Sequence, residues 1–258
     1  MGEVFNRSIN INYSLSDFDE NPKEKEAITI AKKKALQMKF SINEITEIGS
    51  GSKGRTTVYK TDQVARKVIC CQTQKYTGKD LKKKEEIFLQ KVKDDLSFRK
   101  SIVNEIQCWM KLNPKNNIIP MYGFEIFSWI CPEYNRIGAD CEVEMPLAEC
   151  ITNSINKYVL RKQKANFEEK SEDEGAILQI GIDLCTALIA VHKENIIHRD
   201  IKPDNIFLLN EHFCLGDFGI ALDQNNPQYL SADSSMNQVG TYAYWAPEQA
   251  DGKIADQR

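Results

Sequence analysis

Asp200, Asn205 and Asp217 are three hard oxygen donors within one short stretch, and the residues between them suggest how they could meet. The run Ile196-Ile197-His198-Arg199-Asp200-Ile201-Lys202-Pro203-Asp204-Asn205 is followed by the apolar stretch Ile206–Leu209. A turn at Asn210-Glu211-His212 leads into Phe213–Leu215, which delivers Gly216-Asp217-Phe218-Gly219. Two short apolar runs around a turn predict a β-hairpin. A hairpin folds the chain back, so the loop before its first strand lies near the loop after its second. Asp200, Asn205 and Asp217 can then converge, as oxygen ligands for Mg2+ and as a base for a hydroxyl.

The stretches HRDIKPDN (198–205), DFG (217–219) and Ala246-Pro247-Glu248 resemble the catalytic loop, the metal-binding turn and the end of the activation segment of protein kinases. Any one of these is a weak signal alone, whereas all three in this order and spacing are specific. The resemblance implies that Asp200 is the catalytic base and that Lys202 steadies the transferring phosphoryl group. It implies that Asn205 and Asp217 hold Mg2+ and that ATP is the donor. Lys202, together with Thr241 in Gly240-Thr241-Tyr242, is similar to the serine/threonine branch, so the expected acceptor is a Ser or Thr hydroxyl of a protein substrate. The alternatives are a catalytically silent fragment or pseudokinase-like scaffold, and a small-molecule kinase of related fold. The presence of Lys67, Asp200 and Asp217 weighs against a pseudokinase, and Lys202 with the 240–248 pattern weighs against a small-molecule enzyme.

The elements that must position these groups lie upstream. Val64-Ala65-Arg66-Lys67 resembles the strand that carries the ATP-anchoring lysine, which assigns Lys67 and Ala65 to the nucleotide site. Strand alternation puts Lys67 on the face opposite Val64 and Val68, which suits a lysine entering a cleft. Its expected partner is Glu105, on one helical face with Ile102, Ile106 and Trp109, where an unpaired carboxylate would be costly. Glu85 and Glu86 are rival partners in a charge-dense segment. Gly49, Gly51 and Gly54 fit the pattern GxGxxG, whose use is to let backbone N–H groups approach phosphates. Thr56 stands where many kinases have valine. A shifted register would instead make Val58 the adenine-covering residue with Lys53 in a glycine position, and both registers stay open. By resemblance, Glu144 and Met145 form the hinge that binds adenine, with Val143 at the back of the pocket.

The fold class expected is α+β: a two-lobed kinase fold with a β-rich N-lobe at 40–145 and a helical C-lobe from 146, preceded by an extension at 1–39. In that extension, Asn21 can cap a helix, Pro22 suits its first position and Glu24 sits at the capping-box position. The 258 residues are 41% hydrophobic and 28% charged, enough for a sizeable core. The net charge of −3, from 34 Lys+Arg against 37 Asp+Glu, predicts neither a nucleic-acid nor a membrane-surface partner. The eight cysteines lack metal-ligand spacing and no signal peptide precedes them, so the expected compartment is cytoplasmic, with reduced thiols. Residues 161–174 read as a charged surface insert, and Ile177, Ile180, Leu184, Leu188 and Val191 as one face of a helix. Ser231, Ser234 and Ser235 read either as autophosphorylation sites pairing with Arg199 or as incidental serines of a plain loop. Mass spectrometry showing them unmodified in fully active protein would remove the first reading. Kinases continue with further helices beyond the APE motif, so the sequence ending at Arg258 is expected to be a fragment.

Overall fold

The computed structural model describes residues 21–50, 56–61, 64–94, 96–152, 170–226, 239–253 and 256–257. Helix α1 (Pro22–Phe40) starts as expected. The Asn21 side chain accepts from the amides of Lys23 and Glu24 at 3.1 and 3.3 Å, satisfying two of the first-turn donors. Glu24 serves a different purpose from the expected capping box. Its carboxylate accepts from Arg136 Nε at 2.8 Å, which ties the helix to the sheet beneath it.

That sheet comprises β1 (Thr46–Ser50), β2 (Thr56–Lys60), β3 (Val64–Lys75), β4 (Gly123–Cys131) and β5 (Arg136–Pro146). All pairings are antiparallel, in the order β1-β2-β3-β5-β4. A bulge between Cys70 and Gln72 lets β3 follow β5 down to Lys75. Strand β4 begins only at Gly123, and Ile118 ahead of it makes a single parallel bridge to Leu215. After β3 the chain forms two helices, α2 (Leu81–Asp94) and α3 (Leu96–Leu112).

The sheet is apolar on both faces, so it needs a helix on each. On the inner face, Ile106, Trp109 and Leu112 of α3 pack with Cys141 and Val143 of β5. On the outer face, Ile28 and Leu36 of α1 cover Tyr59, Val68, Phe127 and Trp129. Trp129 is 1% exposed and lies flat on β5 over Gly138, with Lys32 Nζ 5.0 Å from its ring centroid. A Cβ on Gly138 would fall 2.1 Å from Trp129 Cζ2, so no side chain fits while the indole stays in place. Gly138→Ala is expected to expel the ring and cost about 3 kcal/mol, the upper range for overpacking. Thermal melting checks this, and a melting point equal to the parent's would contradict the indole's placement.

Below the sheet, β6 (Glu149–Cys150), β8 (Ile206–Leu209) and β9 (His212–Leu215) form a three-stranded sheet in the order β6-β8-β9. Strand β7 (Ile196–Ile197) pairs with β10 (Leu222–Asp223). The hairpin expected from the sequence is β8–β9, with Ile206 opposite Leu215 and Leu209 opposite His212. Helix α4 (Lys170–Lys193) backs it along most of the expected stripe. Val191 is fully buried and Leu188 packs against the core, while Ile177 at the start of the stripe is exposed. The same face buries Ala187 and Asp183, and Asp183 accepts the Phe213 amide of β9 at 2.9 Å. A short helix, α5 (Pro247–Ala250), closes the described chain.

All eight cysteines are free. Burial pushes the thiols of Cys108 and Cys141 up to about 12 and that of Cys214 to about 11. Among the described residues, no helix is long and apolar enough to cross a membrane.

Candidate active site

Four donors converge on Asp200. Its Oδ1 accepts from the Thr241 amide at 3.0 Å and the Thr241 hydroxyl at 2.9 Å. Its Oδ2 accepts from Asn205 Nδ2 at 3.0 Å and faces Lys202 Nζ at 2.8 Å. Lys202 also donates to Thr241 Oγ1 at 2.8 Å, closing a triangle of the three residues. This closeness requires Gly240, whose φ is +100° and where a Cβ would lie 2.6 Å from the Arg199 carbonyl.

The hairpin brings the second half of the site to the first. The Gly216 amide donates to the Asn205 carbonyl at 2.9 Å. His198 is buried, which lowers its pKa and keeps the ring neutral. Its Nε2 lies 3.0 Å from the Gly216 carbonyl, and its Nδ1 accepts the Asp200 amide at 3.3 Å, so Nε2 carries the proton. Phe218, fully buried, sits edge-on to that ring at 5.1 Å and beside Trp109 at 6.2 Å. Asp217 is thereby held at φ +60°, a backbone region that non-glycine residues rarely occupy.

Lys67 links the two sheets. Its Nζ lies 2.6 Å from both Glu105 Oε1 and Asp217 Oδ1. Burial alone would lower the lysine's pKa, but the two carboxylates more than offset it and hold the ammonium above its ordinary range. In return, the Lys67 ammonium holds the Asp217 carboxyl below the usual carboxylate range. The rival Glu85 is engaged elsewhere, accepting from Ser128 Oγ at 2.7 Å.

The donor set suits a small hard cation. Among the described residues no hydrogen bond engages Asn205 Oδ1 or Asp217 Oδ2, because Asn205 spends its amide NH2 on Asp200 and Asp217 spends Oδ1 on Lys67. Two protein oxygens with remaining positions for phosphate and water is the pattern magnesium favours. No cluster of three or more His, Cys, Asp or Glu metal ligands exists among the described residues.

The residues expected on the nucleotide side lie along the sheet. Val58 pairs with Gly49 on one side and with Lys67 on the other. Ala65 is buried opposite Met145, and Val143 is fully buried opposite Lys67. Glu144 and Met145 end β5, where the Glu144 carbonyl accepts the Tyr122 amide at 2.8 Å. Gly51, Gly54, Ser231, Ser234 and Ser235 lie outside the described residues. Arg199, expected beside those serines, donates Nε to the Ile220 carbonyl at 2.7 Å.

Two residues that carried no motif join the site. Asn104, next to Glu105 on α3, donates Nδ2 to the Ala221 carbonyl at 2.7 Å. Lys111, two turns on, pairs with the buried Asp223. Helix α3 is thus fastened to the strand that follows the DFG turn. An exposed-looking amide beside a glutamate gives no sequence signal of this. Asn104→Ala is expected to loosen that seating by about 1 kcal/mol, on the order of fivefold in kcat/KM. Steady-state kinetics check it, and an unchanged value would mean that α3 seats without the amide.

The protein kinase domain model matches residues 42–257. The mouse interferon-induced, double-stranded RNA-activated protein kinase is 35% identical over 95 residues, 36% of this chain and 18% of that protein. The Caenorhabditis elegans membrane-associated tyrosine- and threonine-specific cdc2-inhibitory kinase wee-1.3 is 38% identical over 150 residues, 58% of this chain and 19% of that one. A probable serine/threonine-protein kinase of Clostridium acetobutylicum is 28% identical over 227 residues, 86% of this chain and 28% of the bacterial protein. The chain therefore spans less than a third of each of these relatives. With the model match covering most of its length, the chain belongs to the protein kinase domain family.

Proposed function

We propose that this chain transfers the γ-phosphoryl group of ATP to a serine or threonine hydroxyl of a protein substrate. The observation that carries this reading is the triangle of Asp200, Lys202 and Thr241, with Asn205 bonded to Asp200 and, through its own carbonyl, to the Gly216 amide just before Asp217. In this reading residues 40–145 hold the nucleotide and residues 146–258 carry the chemistry, with 1–39 as an extension.

The division of labour follows from the geometry. Lys67, fixed by Glu105, binds the donor phosphates and orients the γ-phosphoryl group. A magnesium ion held by Asn205 and Asp217 would neutralise phosphate charge. Asp200 accepts the proton of the substrate hydroxyl as its oxygen bonds to the γ-phosphorus, while the bond from that phosphorus to the β–γ bridging oxygen breaks and ADP leaves. Lys202 balances charge on the transferring group. Thr241, held against both Asp200 and Lys202, supports a Ser/Thr acceptor, since a threonine in this place beside the base resembles the serine/threonine branch of the family.

The test is transfer from γ-labelled Mg-ATP to the chain itself and to a generic basic protein, followed by acid hydrolysis and separation of phosphoamino acids. Phosphoserine or phosphothreonine is the expected product. Phosphotyrosine as the main product would overturn the acceptor assignment. No transfer from folded chain would favour a silent regulatory module.

A further inference from the structure

Strand β3 carries two adjacent cations, Arg66 and Lys67, which point to opposite faces of the sheet. Its apolar pattern does not decide which of them enters the cleft, since Val68 faces outward and Ile69 inward, and both are accommodated in core. A one-residue slip against β5 would turn every side chain over, sending Arg66 inward and Lys67 outward. The bulge between Cys70 and Gln72 supplies a place where such a slip could be absorbed.

What distinguishes the faces is a buried set of charges on the outer side. Arg66 Nη1 lies 2.6 Å from Glu142 Oε1, and Nη2 lies 2.6 Å from Glu144 Oε2. Arg66 is 8% exposed and Glu142 only 2%. The guanidinium is roofed by Phe40 from the end of α1, 4.6 Å from its ring centroid. A planar fork holding two carboxylates on alternate residues of one strand is a geometry an ammonium cannot reproduce. Glu142 and Glu144 flank Val143, which stands opposite Lys67.

Resting on the kinase reading for its functional meaning, we propose that Arg66 is a positioning residue of the nucleotide site. Its outward fork on Glu142 and Glu144, closed by Phe40 of α1, locks the register of β3 so that Lys67 meets Glu105 and Asp217. Buried ion pairs of this kind add little net stability, and their best-attested use is to specify register. The lock also gives α1 a task in catalysis, because the helix supplies the Phe40 ring that covers the guanidinium.

The experiment uses the whole chain and compares wild type with Arg66→Met/Glu142→Gln, which removes the cation and the carboxylate it would orphan. A water-soluble carbodiimide joins a lysine to a carboxylate in contact with it and needs no nucleotide. The Lys67–Glu105 or Lys67–Asp217 cross-link, mapped by mass spectrometry, is expected in wild type and about fivefold weaker in the folded variant. KM for ATP is expected to rise about tenfold with kcat changed less, while Arg66→Lys recovers part of both effects. Cross-link yield and KM within twofold of wild type in the folded variant would overturn the proposal. Absence of the Lys67 cross-link from wild type would overturn it as well. If the double variant does not fold, Phe40→Ala carries the same comparison, with a threefold change expected and no change overturning. Wild type that cross-links normally yet transfers no phosphate would count against the phosphotransferase reading, and the cross-link comparison would still decide the lock.

Discussion

Asp200→Asn is expected to reduce phosphoryl transfer by ~10²–10⁴-fold, the range that a general base contributes. The size follows from what the carboxylate does in this site. Both its oxygens are acceptors: Oδ1 for the amide and hydroxyl of Thr241, Oδ2 for Asn205 and Lys202. An asparagine puts an NH2 group where one oxygen was, so a donor faces donors whichever way the amide turns. It also removes the charge that balances Lys202 and the group that takes the substrate's proton. The fold should survive at a cost of about 1–3 kcal/mol for the mismatched polar contacts. KM for ATP should move little, since Asp200 does not touch Lys67, the lysine proposed to bind the phosphates. Steady-state transfer and thermal melting are measured together. A loss of less than tenfold in a folded variant would remove Asp200 from the role of base.

Lys67→Met is expected to harm both stability and activity, for separable reasons. Glu105 is 5% exposed and would lose its counter-ion, and breaking a buried pair from one side typically costs about 3–5 kcal/mol. Asp217 would lose the neighbour that holds its carboxyl low and would no longer be tied to the upper sheet. Activity should fall by at least ~10²-fold, because phosphate positioning and the placement of Asp217 are lost together. Adding Glu105→Gln separates the two effects. Removing the stranded carboxylate should restore most of the melting temperature and none of the transfer. If the second substitution restores neither, Glu105 is not the charge that Lys67 neutralises.

How much of this could be read from the sequence depends on the range of the interactions. The β8–β9 hairpin and the meeting of Asp200, Asn205 and Asp217 follow from local pattern, since a turn between two apolar runs leaves few other arrangements. The Lys67–Glu105 contact spans 38 residues and was legible because an apolar helical face carrying one carboxylate demands a partner. The Arg66 fork was not legible, because β3 is apolar on both faces and nothing local says which glutamates of β5 lie behind it. The contact face of α4 was legible in part. Hydrophobic periodicity marks the stripe through Leu188 and Val191 that packs on the core, but says nothing of Asp183, a buried polar residue on the same face bonded to the Phe213 amide. Glu24 shows the same limit, since a capping-box position says nothing of an arginine 112 residues away.

The distribution of thiols makes the protein convenient to follow by spectroscopy. Of eight cysteines only Cys185, on α4, is exposed. Burial raises the pKa of the Cys70 and Cys71 thiols on β3, and Cys150 approaches the carbonyls of Pro203 and Asp204. A thiolate is the species that attacks a maleimide, so at neutral pH the reagent selects by exposure and acidity together. A fluorophore or spin label should therefore attach at one position without any cysteine being replaced, on the helix that backs the catalytic hairpin. Paired with a labelled nucleotide, that single reporter would read the distance from α4 to whatever site the nucleotide occupies.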